Sequence, residues 1–149
     1  MHIQIETPDQ PDVAALFAQL QDLHARLYPA AAGTALPLAS MLQPEVRFLV
    51  ARDDSRRAVG CVALVLRGEH GELRRMVVDE AARRQGVGSA LLEALVLQAR
   101  AAGVRLLKLT TGVHQHAALA LYERFGFIRC APYGGNGADP LEVCMEMPL

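Results

Sequence analysis

The chain has 149 residues, 52% of them hydrophobic and 21% charged, with a formal net charge of −1. This describes one ordinary domain over 1–149, with no positive excess to drive nucleic-acid or membrane-surface binding. No apolar run reaches the roughly 18 residues of a membrane-crossing helix, and Glu6, Asp9 and Asp12 stand where a signal peptide would be basic and then apolar, so a cytoplasmic location is expected.

Residues 2 to 6 alternate as an opening strand, and Pro8 to Pro11 breaks it. Val13, Leu16, Phe17, Leu20, Leu23 and Leu27 then recur at helical spacing, which predicts an amphipathic helix over 12–28. A loop follows through Pro29 and Gly33, with a short helix near 37–43. Strands are expected at 46–51 and 58–66, separated by the polar turn 53–57. The turn Gly68 to Gly71 makes 58–78 an antiparallel pair.

Beyond that point the periodicity becomes helical, from Gly86 to Ala102, with Leu91, Leu92, Leu95 and Val96 for burial and Gly103 as the stop. Val104 to Thr110 reads as a strand. The helix before it makes it parallel to 72–78, by a right-handed crossover. A helix over 117–125 stopped by Gly126, and closing strands at 127–131 and 141–147 around a glycine-rich loop at 134–137, complete a mixed α/β domain.

Three cysteines, Cys61, Cys130 and Cys144, lie far apart in apolar strand-like segments, without a C-x-x-C spacing. That argues against a disulfide framework or a zinc site and for buried thiols. His114 and His116, two apart, point to different sides of a helix, and nothing in the sequence makes a positive case for a metal.

The chemistry-bearing stretch is Arg83-Arg84-Gln85-Gly86-Val87-Gly88, between a strand and a helix N-terminus opening at Ser89. Glycines allow a ligand close to the main chain, the first helical N–H groups have no partner inside the helix, and two arginines add positive charge. This is a recipe for a phosphate. A P-loop would need Lys after Gly88, and a dinucleotide fingerprint would need a small residue at Leu91. Neither fits.

The hexapeptide instead resembles the Arg/Gln-x-x-Gly-x-Gly/Ala signature of the GNAT superfamily of acyl-CoA-dependent N-acyltransferases. Ala118, Leu121-Tyr122 and Phe125-Gly126-Phe127 resemble the second signature of that family, in the right order and at the expected separation. The likeness covers essentially the whole chain and implies the GNAT fold, a mostly antiparallel sheet with a parallel pair near 72–78 and 104–110 and flanking helices. A narrower likeness, in Glu72 to Met76, Thr111-Gly112, Pro132-Tyr133-Gly134 and Asp139-Pro140, is to a small bacterial branch whose acceptors are mostly unassigned. Members of that branch often carry an aromatic residue at Val77 and Tyr at Asn136.

The resemblance implies acetyl-CoA as co-substrate, with no metal. Its pyrophosphate would sit on Arg83, Arg84, Gln85, Gly86, Val87, Gly88 and Ser89, and its pantetheine arm along the backbone of Met76, Val77 and Val78, one of whose N–H groups would stabilise the oxyanion. Gln115 stands where many members carry an Asn that touches CoA. Tyr122 matches the tyrosine that protonates the CoA sulfur, and equally suits a core position on its helix. Glu72 matches a frequent general-base position, and as plainly suits a solvated turn end. His24, His114 and His116 are rival bases, since imidazole titrates near neutrality.

Arg74 and Arg75 alternate across the strand faces, so that one faces inward, toward an acceptor carboxylate or an internal ion pair with Glu72 or Glu123. The acceptor site is expected among residues 24–43, 110–116 and 131–140, with His24, Tyr28, Thr111, Gly112 and Tyr133 as contributors. The expected activity is acetyl transfer from acetyl-CoA to the primary amine of a small molecule such as an amino acid, by direct attack in a ternary complex. Acetylation of protein lysines or N-termini, and a non-catalytic module that senses acyl-CoA, are the alternatives. The chain is expected to be a monomer or homodimer.

Overall fold

The fold, taken from a computed structural model, is described for residues 1–29, 37–133 and 139–149. Strands β1 (His2–Ile5), β2 (Val46–Arg52), β3 (Ala58–Arg67), β4 (His70–Val78), β5 (Leu106–Gly112), β6 (Ile128–Cys130) and β7 (Glu142–Pro148) form one sheet in the order β1-β2-β3-β4-β5-β7-β6. Every neighbouring pair is antiparallel except β4 and β5, which run parallel as the intervening helix requires.

Three α-helices cover the sheet: α1 (Pro11–Leu27), α2 (Val87–Ala101) and α3 (His116–Phe125). On one face α2 buries Val87, Leu91, Leu92, Leu95 and Ala99 against Leu49, Leu64, Leu73 and Leu107. On the other face Val13 and Leu16 of α1 pack with Phe48, Val50, Cys61 and Ala63. β3 is therefore buried from Ala58 to Val65, which explains its unbroken apolar run where an exposed strand would alternate. Leu95 has no exposed surface, and truncating such a leucine costs about 2–5 kcal/mol.

Several expected boundaries move. Pro11, read as a breaker, is in the first turn of α1, where its missing N–H costs nothing and its fixed φ suits the helix. The short helix near 37–43 is a single 3-10 turn, Leu38–Met41, because Pro37 and Pro44 leave no room for more. The strand expected at 104–110 starts two residues later, at Leu106. The chain past Gly103 (φ +78) first turns back so that the Val104 N–H reaches the Ala99 carbonyl. The strand also ends two residues later, which puts Thr111 and Gly112 on β5 beside Thr110. The glycine-rich loop at 134–137, Gly33 and Asn136 lie outside the described residues.

Candidate active site

The site grows from a split in the sheet. β4 and β5 pair only from His70 opposite Leu106 to Leu73 opposite Leu109. Past that point both strands continue without pairing to each other, and a cleft of about 420 Å³ occupies the gap. The departure coincides with a bulge. Ala63 faces Arg74 and Cys61 faces Val77, so β4 carries one residue more than β3 there.

Arg75 takes up the extra length in the left-handed region (φ +52), at a cost of about 1 kcal/mol for a residue with a Cβ. The Cys61 thiol donates to the Arg75 carbonyl at 3.7 Å. Burial pushes that thiol up to about 12, so it stays protonated and serves as a donor beneath the bulge.

The bulge overturns the expected alternation of the two arginines. Leu73 packs into the α2 face, so Glu72 and Arg74 lie on the opposite face, where Arg74 Nε meets Glu72 at 3.4 Å. Arg75 lies on that same face, its guanidinium over the Phe17 ring of α1 at 4.9 Å and bonded to the Pro37 carbonyl at 3.1 Å. Both arginines line the cleft. Of the two anticipated ion-pair partners, Glu72 pairs with Arg74, and Glu123 meets Arg129 instead.

Tyr122 of α3 lines the cleft and is only 4% exposed. Burial holds its phenol above the ordinary value, so it carries its proton at neutral pH. Phe127 supports it edge-on at 5.7 Å. The α1 side of the cleft presents Leu20, His24 and Tyr28. His24 is exposed as a residue, but desolvation lowers its imidazole below its ordinary value, favouring the neutral ring that can accept a proton. His24 meets Tyr28 edge-on at 6.3 Å, and Tyr28 stacks on His114 at 5.5 Å. The His114 N–H donates to the Tyr28 hydroxyl at 3.1 Å. Gly112 is required there, because a Cβ would run into that phenol.

Other expected contributors are placed differently. Gln115 lines the cleft, but its side-chain oxygen accepts the Gly112 N–H at 2.8 Å and so closes the turn before α3. Glu72 does not line the cleft; it is mostly buried between Arg67 and Arg74. Tyr133 also stays outside the lining, where Thr110 donates to its hydroxyl at 3.3 Å and burial pushes that phenol up to about 12. His114 and His116 sit just ahead of α3 and at its first residue. Among the described residues no cluster of three or more His, Cys, Asp or Glu side chains could hold a metal ion.

The basic loop lies at the end of β4, after a 3-10 turn at Glu80–Ala82. Arg83, Arg84, Gln85, Gly86 and Ser89 are exposed. Gly86 (φ +79) is the N-cap of α2 and offers no side-chain cap, so the first-turn N–H groups are left for another acceptor. Neither Arg83 nor Arg84 forms an ion pair among the described residues. Gly88 has a further reason to be small: a Cβ there would come within 2.8 Å of Leu121 on α3. Gln85 and Val87 line a second cleft with Asp53, Asp54 and Asp79, two of whose carboxylates are paired with the N-terminal ammonium and Arg57. Toward a pyrophosphate Gln85 and Val87 can offer backbone groups.

Sequence reasoning missed the brace behind this loop. Asp79, only 6% exposed, receives Gln19 of α1 at 2.8 Å and the guanidinium of Arg57, while its N–H bonds Val59. Gln19 also accepts the Glu80 N–H at 3.2 Å. The partners lie far apart in the chain, and no local pattern marks them. Thr110 and Asp139 line the cleft within the segments expected for the acceptor, whereas Leu20, Leu73, Leu141 and Glu142 line it from outside them.

Residues 15–127 match the Acetyltransferase (GNAT) family, and the chain belongs to that family. It is 42% identical over 146 residues to a protein of Azospirillum brasilense named IAA acetyltransferase, with 97% of this chain and 95% of that one covered. YsnE of Bacillus subtilis (strain 168), named an uncharacterized N-acetyltransferase, is 32% identical over the whole of both chains. The fold superposes with a TM-score of 0.85 on a solved structure from Klebsiella pneumoniae subsp. pneumoniae MGH 78578, at 36% identity over 99% of this chain and 97% of that one. The chain is an acetyltransferase. No helix among the described residues is long and apolar enough to cross a membrane.

Proposed function

We propose that the enzyme transfers the acetyl group of acetyl-CoA to the primary amine of a small molecule, such as an amino acid, by direct attack in a ternary complex. The observation that carries this is the cleft between the parted ends of β4 and β5, which brings Tyr122, His24 and Arg74 into one space.

The pantetheine arm lies in the split along Met76 to Val78, where β4 has backbone groups unpaired on its β5 side. The pyrophosphate sits at the α2 N-terminus with Arg83 and Arg84. The amine lone pair attacks the thioester carbonyl, and a β4 N–H stabilises the oxyanion. Collapse expels the CoA thiolate, which takes the Tyr122 proton, while His24 takes the proton released by the amine nitrogen. We assign the base to His24 because it lines the cleft. Glu72 is assigned the part of orienting Arg74, whose guanidinium meets the acceptor's carboxylate.

A small acceptor suits a cleft walled on one side by α1, whose Tyr28 reaches across to His114. The name of the Azospirillum relative points the same way. The test is thiol release from acetyl-CoA across amino acids, polyamines, aminosugars and short peptides. Turnover confined to carboxylate-bearing small amines supports the reading; turnover on peptides alone moves it to a protein acceptor.

A further inference from the structure

We propose that Cys130 and Cys144 are a dithiol pair that closes to a cross-strand disulfide in the presence of a small-molecule disulfide such as oxidised glutathione, and that closure alters the acceptor side of the cleft. The second half rests on the acetyl-transfer reading; the first does not.

Both cysteines are free thiols, and they are Cα partners in the β6–β7 ladder. Residues directly opposite in an antiparallel pair share a face, with Cα atoms about 4.5–5.5 Å apart. That falls inside the roughly 4.4–6.8 Å span a disulfide accepts. β6 is an edge strand of three residues, so the ladder can adjust to the bond. Cys130 is partly exposed and open to a reagent, whereas Cys144 is 7% exposed. Cys61 cannot compete. It has no exposed surface, and β4 and β5 lie between its strand and β7.

The chemistry balances in two exchanges. The Cys130 thiolate attacks one sulfur of oxidised glutathione, giving a mixed disulfide and one glutathione. The Cys144 thiolate then attacks the Cys130 sulfur and expels the second glutathione. Two thiol protons and two electrons pass from the protein to the reagent, which leaves as two thiols. Burial first and the Glu146 carboxylate second hold the Cys130 thiol above its ordinary value, against the opposing pull of Lys108. Closure is therefore slow, a response to sustained oxidation.

The link to the cleft is Thr110. Its hydroxyl oxygen lies 3.6 Å from the Cys144 sulfur and 3.3 Å from the Tyr133 hydroxyl, and Thr110 lines the cleft. Drawing the Cys144 sulfur onto Cys130 takes it away from Thr110 and shifts that wall.

The test is incubation of the folded protein with oxidised glutathione, followed by thiol blocking and peptide mass analysis. The expected product is lighter by two hydrogens, yields one peptide joining Cys130 to Cys144, reverts with dithiothreitol, and melts about 5 °C higher. Cys130→Ser, at the exposed partner, abolishes all four. Three blockable thiols after incubation, a glutathione adduct that never resolves, or a bond to Cys61 would overturn the pair. Acceptor KM should differ roughly fivefold between the two states with acetyl-CoA KM unchanged. Equal acceptor KM values overturn the coupling alone. An amine panel silent in both states counts against acetyl transfer and leaves the bond, read by mass, standing.

Discussion

The Tyr28 hydroxyl accepts the backbone N–H of His114 at 3.1 Å, and the two rings stack at 5.5 Å. Tyr28 caps α1 and His114 leads from β5 into α3, so one phenol ties the first helix to the opposite wall of the cleft. Tyr28→Phe keeps the ring and loses the bond. The expected result is a loss of about 1 kcal/mol in denaturant unfolding, with a raised acceptor KM and an unchanged acetyl-CoA KM.

Gly60 sets how closely the first turn of α2 approaches the sheet. A Cβ there would meet Val87 Cγ1 at 2.9 Å and the Val77 carbonyl at 3.0 Å, one a stiff branched side chain and the other backbone. Gly60→Ala should cost about 2 kcal/mol and raise acetyl-CoA KM, because the helix N-terminus is displaced. Gly86→Ala has open space around it and should cost only about 1 kcal/mol, through its φ of +79.

Asp79 braces the basic loop through Gln19 and Arg57. Asp79→Ala removes the shared acceptor, and because Arg57 is exposed enough to turn to water the cost is about 1 kcal/mol. Because the loop follows directly, acetyl-CoA KM should rise more than acceptor KM. Equal rises in both, measured by varying each substrate in turn, would detach the brace from the loop.

His24 must be neutral to take a proton. Desolvation lowers its value below the ordinary 6.5, so the ring protonates only as pH falls beneath that value. With the acceptor saturating, so that its own ionisation does not enter, kcat should therefore hold its plateau down past pH 6.5 and fall only at lower pH. His24→Gln should lower the rate roughly 100-fold and remove that limb from the pH profile.

The element order, the parallel pair and both motifs were legible because each rests on local periodicity or on glycines and charges adjacent in the chain. The bulge at Arg75 was not, since an extra residue in β4 shows only against its register with β3. It turned an expected alternation into two arginines on one face. Gly88 was read as room for a ligand, and it is also room for Leu121, which the sequence places on another helix. Gln115 kept its amide chemistry and spent it on its own turn. The Asp79 brace joins residues 57, 79 and 19, a relationship that exists only once α1 lies across the sheet.

The most direct measurement is kcat for Tyr122→Phe on the best acceptor, alongside the CoA dissociation constant of the same variant. The phenol lies 4% exposed in the cleft and keeps its proton, and phenylalanine preserves its packing against Phe127. The account predicts a kcat roughly 100-fold lower with CoA affinity within about a factor of two. A variant that turns over at the wild-type rate would contradict it.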